Sequence, residues 1–181
     1  MSESAIQMKS PAAGEAVVIS PCPSRRRSFV LETELLVPRP IDEVFAFFAD
    51  ARNLERITPP FLKFSVLTPP PIHLAAGTLI DYRLRVRGLP LRWRSEITVW
   101  DPPHRFVDEQ RRGPYYYWHH EHKFEAVASG TLVRDEVTYQ TPGGAIINAC
   151  FVAPDLRKVF EYRRTVLKST LAAIADSQPA E

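Results

Sequence analysis

The chain has 181 residues, enough for one domain with a sizeable core. Its 23 Lys and Arg against 21 Asp and Glu leave a net charge of +2, a balance that argues against nucleic acid or an anionic membrane as partner. No apolar run approaches the roughly 20 residues needed to span a bilayer, so no stable membrane insertion is expected. No basic-then-apolar leader opens the chain. Cys22 and Cys150 are too few for a disulfide framework, and the expected setting is soluble, reducing and cytoplasmic.

Residues 1–27 are rich in Ser, Ala and Pro, end in Arg25-Arg26-Arg27, and read as a flexible tail, as do residues 176–181. The domain is expected over residues 28–175. Phe29, Leu31, Leu35 and Val37 alternate as a strand does, and Pro38 and Pro40 end it. Ile41, Val44, Phe45 and Phe48 then follow helical spacing, and a second short helix over about 51–57 stops at Thr58-Pro59-Pro60. A strand is expected near 61–67. Five more follow near 77–87, 91–100, 105–112, 115–127 and 131–141, separated by Gly- and Pro-rich turns. A loop containing Pro142-Gly143-Gly144 leads to an amphipathic helix over about 154–175, with Leu156, Val159, Phe160, Val166, Leu167 and Leu171 on one stripe. A sheet apolar on one face needs a cover, and this helix is the largest available. The expected class is α+β: a curved antiparallel sheet of about seven strands gripping a long C-terminal helix, with two short helices after the first strand.

Residues opposite each other across a hairpin share a face, so each turn length predicts a register. Pairing Val86 with Leu91 sets Leu84 opposite Trp93, Tyr82 opposite Ser95 and Ile80 opposite Ile97. Pairing Trp100 with Arg105 sets Val99 opposite Phe106 and Ile97 opposite Asp108. A turn at Gly113-Pro114-Tyr115 places Asp108 opposite His120. One at Ser129-Gly130 places Phe124 opposite Asp135, His122 opposite Val137 and His120 opposite Tyr139. All four hairpins agree on one inward face, with Asp108, His120 and Tyr139 in a row and His122 and Asp135 diagonal to it.

Several inward residues carry possible chemistry. His120 and His122, at i and i+2, could hold a metal with Asp108 or Asp135, but a hydrogen-bonded polar lining is the expected role, and no metal or cofactor is assigned. His119 and Glu121 point outward. Asp108–His120 or Asp135–His122 are the candidate catalytic acid/base pairs, against an internal network that holds the sheet in register. Ser95 lies in no nucleophile motif, and Cys150 is expected to be a packed thiol. Arg163 could bind a ligand carboxylate, though pairing with Asp108 or Asp135 is the expected fate of an inward Arg. The outward arginines 83, 85, 87, 92 and 94 read as a solvated sheet face offset by acidic neighbours. Gly143-Gly144 fits no phosphate-loop pattern.

Asn53-Leu54 with Ile57-Thr58-Pro59-Pro60, Trp93-Arg94-Ser95, Phe106-Val107-Asp108-Glu109-Gln110, Trp118-x-His120-x-His122-x-Phe124, Asp135-x-Val137-x-Tyr139 and Phe160-x-Tyr162-Arg163 form a set. The set resembles the SRPBCC (START-like, helix-grip) superfamily, in particular a bacterial ligand-binding or polyketide cyclase/dehydrase-like subgroup, over about residues 29–173. The resemblance implies a hydrophobic cavity between sheet and long helix. The expected partner is a small hydrophobic ligand such as a lipid, polyketide or quinone, contacted by Tyr82, Trp93, Asp108, Trp118, His120, His122, Asp135, Tyr139 and Arg163. The alternative is a cavity enzyme of cyclase, dehydratase or isomerase type.

Overall fold

The computed structural model describes residues 17–173. Residues 1–16 and 174–181, which include the expected C-terminal tail and part of the N-terminal one, lie outside the described residues. Period-two alternation from Phe29 onward builds strands whose apolar sides must be buried together. They form an antiparallel sheet of eight strands: β1 (Val18–Pro21), β2 (Phe29–Val37), β3 (Ser65–Val66), β4 (Leu79–Val86), β5 (Leu89–Asp101), β6 (Arg105–Arg112), β7 (Tyr117–Val127) and β8 (Gly130–Gln140). The order across the sheet is β1-β2-β8-β7-β6-β5-β4-β3. Two short helices, α1 (Ile41–Ala49) and α2 (Asn53–Arg56), follow β2. A third, α3 (Gly144–Ile147), leads through a π-helical turn at Asn148–Val152 into the long α4 (Ala153–Ala173).

The helices cover the inner face. Val44, Phe45 and Phe47 of α1 pack with Ile97, Phe106, Phe124 and Leu167 in one cluster. Leu31, Trp118, Val137 and Tyr139 pack with Leu156 and Phe160 of α4 in a second. This is the expected α+β helix-grip arrangement. No helix among the described residues is long and apolar enough to cross a membrane. The outer face carries ion pairs such as Arg94–Asp81 and Arg111–Glu96, both at 2.8 Å. Exposed pairs of this kind add little to stability, but those of Arg94 and Arg87 offset part of the arginine stripe.

Several details depart from the expectations. Val18–Pro21, placed in the flexible tail, is a strand paired with β2, and Val17 is buried. The run Val17-Val18-Ile19 is β-branched, and the edge of β2 was open to pair with it. The strand expected at 61–67 shrinks to two residues, because Pro60 begins a single 3-10 turn that ends at Lys63 in the left-handed region. The loop before α4 contains α3 and the π-helical turn, where Cys150 is exposed rather than packed.

Register departs from expectation by two residues in the first and last hairpins of the meander and by one at a bulge in β5. The β4–β5 hairpin closes on Arg87-Gly88, with Val86 opposite Leu89, Tyr82 opposite Trp93 and Ile80 opposite Ser95. Both turn residues have positive φ, +50° and +84°, the combination of the tight hairpin turn that matches strand twist. Pro90 is accommodated in β5 because it follows the closing pair, so its missing N–H would have pointed away from β4. β6 ends its pairing with β5 only at Arg94–Arg112, leaving no partner for that N–H to bond. A bulge between Ile97 and Val99 brings Trp100, not Val99, opposite Phe106. Asp108 stands opposite His120, as expected. The β7–β8 hairpin closes on Ala128-Ser129, which sets Phe124 opposite Val133, His122 opposite Asp135, His120 opposite Val137 and Trp118 opposite Tyr139.

Gly130, the first residue of β8, has φ +133°, and a Cβ there would collide with the Val37 carbonyl oxygen. Gly130→Ala is therefore expected to destabilise the fold by more than about 1 kcal/mol, read as a lowered midpoint in urea unfolding.

Candidate functional site

Between the inner face of the sheet, α2 and the first half of α4 lies a cavity of about 610 Å³. That volume falls within the range of about 300–1,000 Å³ typical of small-molecule sites. Its walls are mostly apolar. Trp93 and Trp118 meet edge to face at 5.1 Å, with Phe48 and Leu54 from the short helices and Phe151 from the π-helical turn also in the lining. At its rim Arg87, at the β4–β5 turn, reaches Asp155 of α4 through bonds of 3.0 and 3.1 Å.

Of the residues assigned to the site from sequence, Tyr82, Trp93, Asp108, Trp118, His120, His122 and Arg163 line this cavity. Tyr139 does not. Its register places it beside Trp118 instead of His120, it is fully buried, and its hydroxyl donates to Asn148 Oδ1 at 2.8 Å. Burial pushes its pKa up to about 12, so it remains a neutral donor. Asp135 is also absent from the lining. It sits behind the histidines, directly opposite His122.

The polar group at the cavity wall is a compact four-residue cluster. Alternation puts His120 and His122 on one face of β7, and β6 and β8 bring Asp108 and Asp135 to either side. His120 Nδ1 is 3.3 Å from Asp108 Oδ2, and its Nε2 is 3.2 Å from Asp135 Oδ1. His122 Nε2 is 3.6 Å from Asp108 Oδ2, and its Nδ1 is 2.6 Å from Asp135 Oδ1, close but not aligned as a hydrogen bond. Each imidazole thus lies between both carboxylates, so the separate pairs Asp108–His120 and Asp135–His122 expected from sequence merge into one unit. The rings lie 3.8 Å apart, and Phe106 stacks on His122 at 4.1 Å.

Sequence reasoning missed the support behind Asp108. Trp93 Nε1–H donates to Ser95 Oγ at 3.0 Å, and the Ser95 hydroxyl donates to Asp108 Oδ1 at 3.1 Å. The inward parity of Trp93 and Ser95 on one strand was the available signal.

Burial opposes the charge on Asp108, yet hydrogen bonding and charge from His120 and His122 outweigh it and hold the carboxyl well below the usual carboxylate range. Asp135 is likewise depressed: burial acts against ionisation, and the charge of His122 and the hydrogen bond from His120 prevail. Burial also opposes the charge on His122, but the two carboxylates raise its pKa overall. The depressed carboxylates stabilise the fold above their unfolded value of about 3.9, and that support is lost as pH falls through their folded values. His122 stabilises below its unfolded value of about 6.5, and its contribution is lost as pH rises through its folded value. Thermal unfolding of metal-free protein is therefore expected to show the cluster's strongest support between about pH 4 and about pH 6.5, with Asp135→Asn flattening the acid limb.

Arg163 departs from expectation most. It lies on the α4 face that lines the cavity, is 8% exposed, and makes no ion pair with Asp108 or Asp135. Its Nε is buried without a hydrogen-bond partner, and its guanidinium lies 4.9 Å from the centre of the Phe160 ring. Burial pulls its pKa below the ordinary arginine value, against the attraction of Asp135 and Asp108.

With this geometry in view, comparisons with known proteins are specific about family. The family described as "Polyketide cyclase / dehydrase and lipid transport" matches residues 37–162. The chain belongs to that family, within the SRPBCC helix-grip superfamily. No curated protein matches the sequence. Among solved structures, protein TTHA0849 from Thermus thermophilus superposes with a TM-score of 0.64 at 19% identity, covering 82% of this chain and 99% of that one. The ZhuI aromatase/cyclase from Streptomyces sp. R1128 gives 0.57 at 16% identity, over 80% and 94% of the two chains. Ginseng major latex-like protein 151 from Panax ginseng gives 0.56 at 12%, over 76% and 96%. Identities this low speak to the shared fold.

Proposed function

We propose that this protein binds a small, largely hydrophobic organic molecule with an anionic end, seated in the cavity between sheet and α4. The observation that carries this reading is Arg163, a buried cation on the cavity wall without an ion pair among the described residues. A guanidinium out of water is costly unless an anion or acceptor meets it, and its planar fork suits a carboxylate or enolate. The aromatic walls supply apolar burial, worth about 25 cal/mol per Å². Family membership is consistent with a lipid- or polyketide-like ligand.

Native mass spectrometry of freshly purified protein, followed by titration with a fluorescent long-chain fatty acid and its methyl ester, tests the reading. A co-purifying organic acid, or preference for the acid over the ester, supports it. Equal binding of acid and ester removes the role given to Arg163, and no binding of either removes the pocket's role.

A second reading is a cavity enzyme of cyclase, dehydratase or isomerase type. The observation favouring it is the placement of Asp108, His120 and His122 on the cavity wall, where protons could pass to or from a bound molecule. His120→Ala should then abolish turnover of a candidate polyketide substrate while the fold survives. If turnover persists, the cluster is structural.

A further inference from the structure

The four N···O contacts in the Asp–His cluster exceed the protons available to fill them. Two neutral imidazoles carry one N–H each, so at two of the four contacts a nitrogen lone pair would face a carboxylate oxygen, and one added proton still leaves one such contact. Protonating both rings fills every contact but stacks two cations whose centres are 3.8 Å apart. A metal ion removes the conflict. From this geometry we infer that Asp108, His120 and His122 form a binding site for one divalent first-row transition ion, such as zinc or iron(II).

The ligand atoms are already near the required spacing. Metal bonds of about 2.0–2.1 Å in tetrahedral geometry put neighbouring donors about 3.3 Å apart. Asp108 Oδ2 stands 3.3 Å from His120 Nδ1 and 3.6 Å from His122 Nε2. One donor from each of the three residues lies within 4.8 Å of the others. The remaining nitrogens, His120 Nε2 and His122 Nδ1, both face Asp135 Oδ1 on the buried side. A carboxylate behind ligating imidazoles selects the tautomer that turns the lone pairs toward the metal. The second oxygen of Asp108 is held by Ser95, and Ser95 by Trp93. Support therefore stands behind Asp108 and behind both histidines.

Two histidines and one carboxylate suit zinc or iron(II) and leave coordination positions open. Those positions face the cavity, since all three residues line it. The ligand class that would complete the sphere is an oxygen donor, namely a carbonyl, enolate or carboxylate on the bound molecule. Arg163 lines the same cavity and would share the negative charge of such a group.

The test needs no organic ligand, so its outcome is independent of the function proposed above. Full-length protein stripped with a chelator is titrated anaerobically with cobalt(II), followed by visible d–d absorption and bound-metal analysis. One ion per chain is expected, with affinity lowered more than about 100-fold by Asp108→Asn or His122→Gln and about 10–100-fold by Asp135→Asn. The Asp135 effect distinguishes a metal site from a plain hydrogen-bond network. Should a variant fail to fold, ring-nitrogen NMR shifts of the wild-type protein on zinc addition decide the matter. His120 and His122 should move, while His73, His104 and His119 stay. Failure to bind cobalt or zinc, or binding that leaves the His120 and His122 rings unchanged, would overturn the assignment.

Discussion

Arg163→Met is expected to make the protein at least as stable as wild type while lowering its affinity for anionic ligands about 10- to 100-fold. The two effects have opposite signs because they arise from the same cost. In the folded protein the guanidinium is 8% exposed and its Nε has no acceptor. Its attraction to Asp108 and Asp135 acts without direct contact. A methionine of similar length removes that desolvation and keeps the packing against Phe160, a change worth roughly 1 kcal/mol or more in favour of folding. Binding loses a charge-assisted hydrogen bond of about 1.5–3 kcal/mol. Chemical denaturation and the acid-versus-ester titration measure the two sides. A variant that is less stable and binds as well as wild type would show that Arg163 serves the fold and not the ligand.

The largest destabilisation is expected from Asp135→Ala, about 3–5 kcal/mol, the usual loss when one member of a buried ionic group is removed. Asp135 Oδ1 meets a nitrogen of both imidazoles, at 3.2 and 2.6 Å. Without it, the buried His120 ring loses its acceptor and His122 loses the main support for its charge. For a domain of this size the melting midpoint should fall on the order of 10 °C. Asp108→Ala should cost less, because the Asp108 side chain is 19% exposed against 7% for Asp135, and cavity water can partly replace it. Equal losses at the two positions would contradict this asymmetry.

Except at Val99 and Trp100, which the β5 bulge exchanges, the face each of these strand residues occupies was legible in the sequence, because a strand's period of two survives any slip of two residues. Tyr82, Trp93, Asp108, His120 and His122 all point inward as expected, and His119 turns outward to Glu109. What stands opposite what was less legible. The β4–β5 turn was displaced by Pro90, which reads as a turn residue but sits in a strand with no partner on that side. The bulge near Val99 has no glycine or proline to announce it. Arg163 was expected to pair with an aspartate, but both carboxylates are already engaged by the histidines. The sequence already offered Asp108–His120 and Asp135–His122 as pairs, and the register that puts His122 directly opposite Asp135 makes them exclude Arg163.

The register of the last hairpin reaches further than packing. Closing it on Ser129-Gly130 instead of Ala128-Ser129 would keep every apolar residue inward, yet would set Tyr139 against His120 and Asp135 against Phe124. Gly130 marks where β8 leaves that turn, and its backbone nests against the carbonyl of Val37 in β2 where a side chain could not. The position of this turn thereby decides which side chain stands behind the histidines of the cavity wall. In evolutionary terms, the partner of a wall histidine can be exchanged by moving one turn along the chain, with no change in the composition of the walls.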